Sequence, residues 1–292
     1  MPSAWICGVL LTLVACGGHA TTPRNASSGD TAWKDDPVAT EAFATRAPFV
    51  APGEQMTYRL SLHGLLMASF VIVVGDVDEV AGHPVVVVQS GVHSSQLVSL
   101  VHEVNDHFTS WIDTATSRSV VFRSEELASA DDQQVEVSES TLVDVSSGTF
   151  PVRVSRPDLG DVDEEQHVGD APLFDMNSFL MVLRTWDPPE GTTATADIVR
   201  SRYVWRTQVT LAGYEDVVTE LGTLPAVHLE GVSRRVRRDG TLDPGVAARP
   251  YSLWISDDAD RVPLVMVAHT DYGDVKMEIV EYRPGSVPRL GS

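Results

Sequence analysis

The chain has 292 residues, 41 of them acidic against 21 basic, for a formal net charge of −20. That balance argues against a nucleic-acid partner, which needs clustered Lys and Arg, and against adsorption to an anionic membrane by charge alone. The length fits one large β domain or two small ones.

In chain order, residues 5–15 are an apolar run, too short to span a bilayer but right for the core of a signal peptide. It ends in Leu13-Val14-Ala15-Cys16 followed by Gly17-Gly18. This resembles a bacterial lipobox, which implies cleavage before Cys16 and lipidation of that cysteine. Several acyl chains, at ~0.8 kcal/mol per buried CH₂, anchor stably where one does not. Residues 1–15 depart from the usual signal in having no Lys or Arg, and a buried apolar helix with a chance cysteine is the alternative reading. Only Cys7 and Cys16 are cysteines, so cleavage leaves no thiol for a disulfide or for cysteine catalysis. Residue 18 is not Asp, so the expected address is the outer membrane, facing the periplasm, with surface exposure as a variant. Residues 16–50 then read as the lipidated cysteine and a flexible tether, because the stretch from His19 to Asp30 carries almost no apolar content.

Residues 51–285 read as one β-rich domain, with 286–292 a tail. Residues 58–62 alternate, residues 65–74 are too apolar for a half-exposed strand, and the β-branched residues 83–88 follow an Ala81-Gly82 turn. Residues 123–169 are acidic, with strand-like pieces at 135–137 and 150–154, and are expected to form long solvated hairpins. Clear alternation returns at 203–211 and 251–256. Residues 264–269 and 275–282 flank Asp271-Tyr272-Gly273-Asp274, a hairpin turn. One segment has another period. Asp170 and Pro172 suggest a helix start. Met176, Phe179, Leu180 and Leu183 form one stripe at i, i+3, i+4 and i+7, and Pro188-Pro189 stops it. The expected fold is mainly β: a curved antiparallel sheet or half-open barrel, with this amphipathic helix packed in or across it.

Val101-His102-Glu103-Val104-Asn105-Asp106-His107-Phe108 nearly spells the zinc-protease signature, but its histidines are five apart. The motif needs four, so that both rings meet one metal on a helix. At about 100° per residue, five steps place the rings roughly 140° apart, and on a strand they face opposite ways. Residues 96–104 are therefore expected to be a short turn or helix and 106–113 a strand.

Three stretches carry a family resemblance: Phe108-Thr109-Ser110-Trp111-Ile112-Asp113; Asp175 to Arg184, with its Leu183-Arg184 ending; and Leu253-Trp254-Ile255-Ser256-Asp257-Asp258 running on to Arg261-Val262-Pro263. With Gly53-Glu54 at the start, the chain resembles the bacterial domain-of-unknown-function family 3108 over roughly residues 53–283. The resemblance implies an exported, mostly antiparallel β fold and brings no catalytic residues. The implied shape is similar to that of periplasmic lipoprotein carriers, which is an analogy of shape and does not fix function.

Candidate chemistry is sparse. Asp257, Asp258 and Asp260 could gather on a cation, but the spacing is not an EF-hand loop, and Asp-rich turns are ordinary. No metal or cofactor is expected. Arg234, Arg235, Arg237 and Arg238 form the basic cluster of this acidic chain. They are a candidate surface for a ligand headgroup or an acidic partner, against a solvated strand end before the Asp239-Gly240 turn. The nine histidines are scattered, with His228 and His269 a pair that folding could unite. No G-x-S-x-G elbow or phosphate-binding glycine loop occurs. The expectation is a non-catalytic lipoprotein whose helix residues Met176, Phe179, Leu180 and Leu183 line a cavity for a lipid or other hydrophobic ligand. The alternative is a platform for an envelope protein partner.

Overall fold

The computed structural model describes Trp33, Phe43 and residues 46–99, 103–129, 134–143, 145, 148–157, 160–270, 272–286 and 288–291. The expected signal peptide and Cys16 lie outside these residues, as do Val101 and His102 of the near-miss motif.

The strands are β1 (Gln55–Leu62), β2 (Leu65–Val80), β3 (His83–Ser94), β4 (Asn105–Asp113), β5 (Ser119–Ser129), β6 (Gln134–Thr141), β7 (Thr149–Arg156) and β8 (Gly160–His167). After a three-residue β9 (Leu173–Asp175) come β10 (Thr193–Arg200), β11 (Tyr203–Thr219), β12 (Gly222–Val236), β13 (Arg249–Ser256), β14 (Pro263–Thr270) and β15 (Gly273–Arg283). A short α1 (Gln96–Ser99) precedes β4, and α2 (Met176–Leu183) comes after β9. Within the described residues of 96–113, the expected short helix and the strand after it form as α1 and β4.

All fifteen described strands join one sheet, in the order β8-β7-β6-β5-β4-β3-β2-β1-β15-β14-β13-β12-β11-β10-β9. Every pairing is antiparallel except β9 with β10. The order tracks the chain, and tight turns join several of the neighbouring strands. His63-Gly64 and Ala81-Gly82 both take positive φ at two successive positions, the conformation of hairpin turns matched to strand twist. Period-two alternation sets the inner face: Met56, Tyr58 and Leu60 of β1 are buried while the residues between them are partly exposed. Bulges at Thr57/Tyr58, Leu60/Ser61 and Val74/Val77 bend the central strands.

The curved sheet brings its two ends together without closing. Phe122, Phe150 and Val152 from β5 and β7 share a buried cluster with Leu173, Val199 and Val204 from β9, β10 and β11. No β8–β9 pairing occurs among the described residues. Charge bridges the seam instead: Arg200 reaches Glu126 at 3.9 Å, Arg202 reaches Glu136 at 3.5 Å, and Arg238 pairs with Glu164. The acidic hairpins of 123–169 are thus present but not simply solvated. One face is core, and three of their glutamates hold the far end of the sheet.

Two boundaries differ from expectation. The helix does not start near Asp170. Residues 173–175 pair as β9, and Asp175 is the cap. Pro172 fits the first turn of a helix, yet its carbonyl accepts from Asp197 N, so strand pairing fixes this segment. Described residues of the segments expected as tether and tail also pack on the domain. Val50 bridges Leu290 and is fully buried. Phe43 is 5% exposed and packs edge-on to Phe174 and Phe179. Isolated aromatic residues in a polar stretch carry no periodicity, so sequence reading passes over them.

Candidate binding cavity

α2 lies inside the curve of the sheet and is fixed at both ends. At its N-terminus Asp175 is fully buried. Its Oδ1 accepts the backbone N–H groups of Asn177 (2.8 Å) and Ser178 (2.9 Å), and Ser178 Oγ accepts from Asp175 N (2.9 Å). This is a reciprocal capping box. The same carboxylate accepts from Ser110 Oγ at 2.9 Å and from Ser119 Oγ, so the cap is also a tie to β4 and β5. Asn177 adds a second tie, accepting from Ser90 Oγ at 2.9 Å and donating to Ser110 Oγ at 3.0 Å. Burial pushes the Asp175 carboxyl above its ordinary range, and the hydroxyl and backbone donors act against that.

At the other end Arg184 caps the helix and is fully buried. Its guanidinium meets the equally buried Glu54 in a two-pronged pair, Nη1 to Oε2 at 3.0 Å and Nη2 to Oε1 at 2.7 Å. Its other donors reach the carbonyls of Arg261 (2.9 Å) and Asp260 (2.8 Å), and Tyr282 Oη donates to Glu54 (3.1 Å). Three motifs distant in sequence, Gly53-Glu54, Leu183-Arg184 and the Asp258-to-Pro263 turn, therefore meet in one buried network.

Between helix and sheet is a half-open cavity of about 180 Å³, and the four stripe residues Met176, Phe179, Leu180 and Leu183 all line it. Opposite them the sheet supplies Leu60, Phe70, Leu253, Met266 and Met277. A polar end is set by register. Thr207, Ser233 and Arg249 lie in one row across β11, β12 and β13, with Thr207 and Ser233 hydroxyls 2.6 Å apart. The next inward-facing row holds Gly231, Tyr251 and Ala268, and the one after it Leu229, Leu253, Met266 and Met277. Gly231 is required here. A Cβ at that position would stand 2.1 Å from Tyr251 Cζ, so only glycine lets the ring lie across the neighbouring strand. Burial raises the Tyr251 phenol above its ordinary value and keeps it protonated.

A family described as protein of unknown function (DUF3108) matches residues 55–280. The chain belongs to this family. The DUF3108 fold is similar to that of a β-barrel-like DUF1849 protein from Brucella abortus, with TM-score 0.54 and 10% identity over 82% of this chain and 100% of that one. A candidate exported protein with a YmcC-like fold from Bacteroides fragilis aligns at TM-score 0.37 and 10% identity, covering 81% and 99%. The hypothetical lipoprotein YmcC from Escherichia coli aligns at 0.30 and 11%, covering 80% and 86%. The fold likeness rests on the first. No curated protein matches the chain.

The other candidate residues of the DUF3108 domain fall elsewhere. The four arginines do not act as one patch. Arg235 and Arg237 share Asp243 at 2.5 and 3.4 Å, Arg238 reaches Glu164 and Gln166 on β8, and Arg234 lies 5.4 Å from the Trp33 ring centroid. Asp258 Oδ1 accepts from Ser256 Oγ and from the N–H groups of Asp260 and Arg261, while Asp257 pairs with Arg261 and Asp260 with Arg289. That is a satisfied turn. His228 stacks on Trp254 and faces Glu215, whereas His269 pairs with Asp274, so the two histidines are not united. Among the described residues no three His, Cys, Asp or Glu side chains gather as a metal site. Sequence reading missed the roles of Glu54, Arg184 and Tyr251. Arg184 had a cue, a cation at the end of an apolar stripe, and Glu54 stood in a family motif with no role attached.

Proposed function

We propose that this chain is a lipid-anchored protein of the bacterial envelope that holds a hydrophobic ligand under α2 and catalyses no reaction. The observation that carries this reading is the cavity itself, apolar at one end and formed by a helix with both ends tied down. The lipobox at Leu13-Val14-Ala15-Cys16 supports the anchor and an outer-membrane address. The volume limits the ligand. Engineered cavities near 150 Å³ take benzene, so about 180 Å³ suits one short chain or ring rather than a diacyl lipid. The internal pairing of Arg235, Arg237 and Arg238 weighs against a partner platform built on the basic cluster.

The test is native mass spectrometry of the protein isolated from a bacterial envelope, beside a Leu180→Trp variant that fills the cavity. A small adduct on the wild type that is absent from the variant supports the reading, whereas the same mass pattern in both refutes it. Anchoring is checked separately: Cys16→Ser should move the protein from the membrane fraction to the soluble one.

A further inference from the structure

The cavity has a chemical polarity that bears on its ligand. In a chain of net charge −20, the charged residues that line it are, among the described residues, Arg200 and Arg249, with no acidic one. Neither arginine is a bare cation. Arg200 faces Glu126 at 3.9 Å and lies 5.5 Å from the Phe108 ring centroid, and Arg249 also has protein partners. Both nonetheless contribute to the cavity wall, and a guanidinium has five donors to distribute. Tyr251 adds a phenol held in its protonated, donating form. Donors and positive charge therefore dominate the polar end. Along β13, Arg249 to Leu253 spans four residues, roughly 13 Å. The opposite end is Leu60, Leu183, Leu253, Met266 and Met277.

We infer that the ligand is a single-chain amphiphile with a carboxylate head, seated head-first at Arg249 and Tyr251 with its chain beneath Leu180. This deepens the hydrophobic-ligand reading and rests on it. By comparison with cavities of ~150 Å³ that take benzene, the volume fits a chain of about six to eight carbons. Size argues against a phospholipid, and the charge of the wall argues against a cationic amphiphile.

The experiment is calorimetric titration of the full-length protein at pH 7 with sodium octanoate and with 1-octanol, which have chains of equal length and differ in head charge. Octanoate should bind at least ten-fold more tightly. Arg249→Gln should bring the two Kd values within about two-fold, and Tyr251→Phe, a smaller change, should reduce the octanoate preference while leaving octanol unaffected. Octanol binding as tightly as octanoate to the wild type, and lost in Leu180→Trp, overturns the carboxylate inference and leaves the apolar site standing. Binding of neither probe overturns both.

Discussion

Arg184→Met tests the buried network that holds the helix. The wild-type side chain makes two bonds to Glu54 and one each to the Arg261 and Asp260 carbonyls, at 2.7–3.0 Å and with no solvent exposure. Methionine is unbranched and uncharged but two bonds shorter. It removes the two-pronged partner of the buried Glu54 carboxylate and leaves only Arg289, 3.9 Å away, as a nearby cation among the described residues, a loss at the lower end of the ~3–5 kcal/mol of a broken buried pair. The two carbonyls add about 1 kcal/mol each if they find no other donor. Tyr282 Oη and Ala51 N still donate to Glu54, which trims the total. The expected loss is thus on the order of 4 kcal/mol, a large part of the ~5–15 kcal/mol that holds a typical domain folded. Glu54→Leu alone should cost a similar amount by leaving the guanidinium buried and unpaired. The double variant replaces both ions by apolar groups and should cost less than either single change. Urea unfolding monitored by tryptophan fluorescence gives all three values. A single-variant loss below about 1 kcal/mol, or a double variant equal to the sum of the singles, would refute this coupling.

Three further outcomes rest on the same geometry. Asp175→Ala removes the helix cap and the acceptor of the Ser110 and Ser119 hydroxyls, and should cost about 2–4 kcal/mol in the same assay. A loss under about 1 kcal/mol would mean the cap is dispensable. Gly231→Ala drives a methyl into the Tyr251 ring and should cost about 1–3 kcal/mol, and in a Tyr251→Ala background the same change should be nearly silent. Equal cost in both backgrounds would contradict the cross-strand packing. Asp106 is buried beside Glu126, and desolvation first, then that neighbour, push its carboxyl up to about 6. The folded state then binds the proton more tightly than the unfolded one. Stability from this group is present at low pH and falls as pH rises from near 4 through about 6, by on the order of 2–3 kcal/mol. Asp106→Asn should flatten that part of the pH–stability curve, and an unchanged curve would show that another group carries it.

Some of this molecule is written locally. Alternation in β1, β4, β11 and β13 and the positive-φ turns at His63-Gly64 and Ala81-Gly82 mark strands and hairpins, because each depends on residues within a few positions of one another. The stripe Met176, Phe179, Leu180 and Leu183 likewise showed a helix with one apolar face, and that face lines the cavity. The family was readable from short motifs. What those motifs do was not. Glu54 and Arg184 are 130 positions apart, and no periodicity links them. Only the curl of the sheet around the helix removes both from water and makes each the other's requirement. The same holds for Arg238, which reads in sequence as part of a basic surface but in the fold faces Glu164 across the seam. Asp170 looked like a helix cap on local chemistry alone, and pairing of Leu173 with Asp197 displaced the start to Asp175. The cavity's polar end is a matter of register: Thr207, Ser233 and Arg249 form a row only because three strands align there. Local sequence determined which segments extend, turn or coil, since those preferences act over a few residues. Tertiary structure decided which charges lost their solvent and which side chains came to share a cavity, since both depend on what the rest of the chain brings alongside.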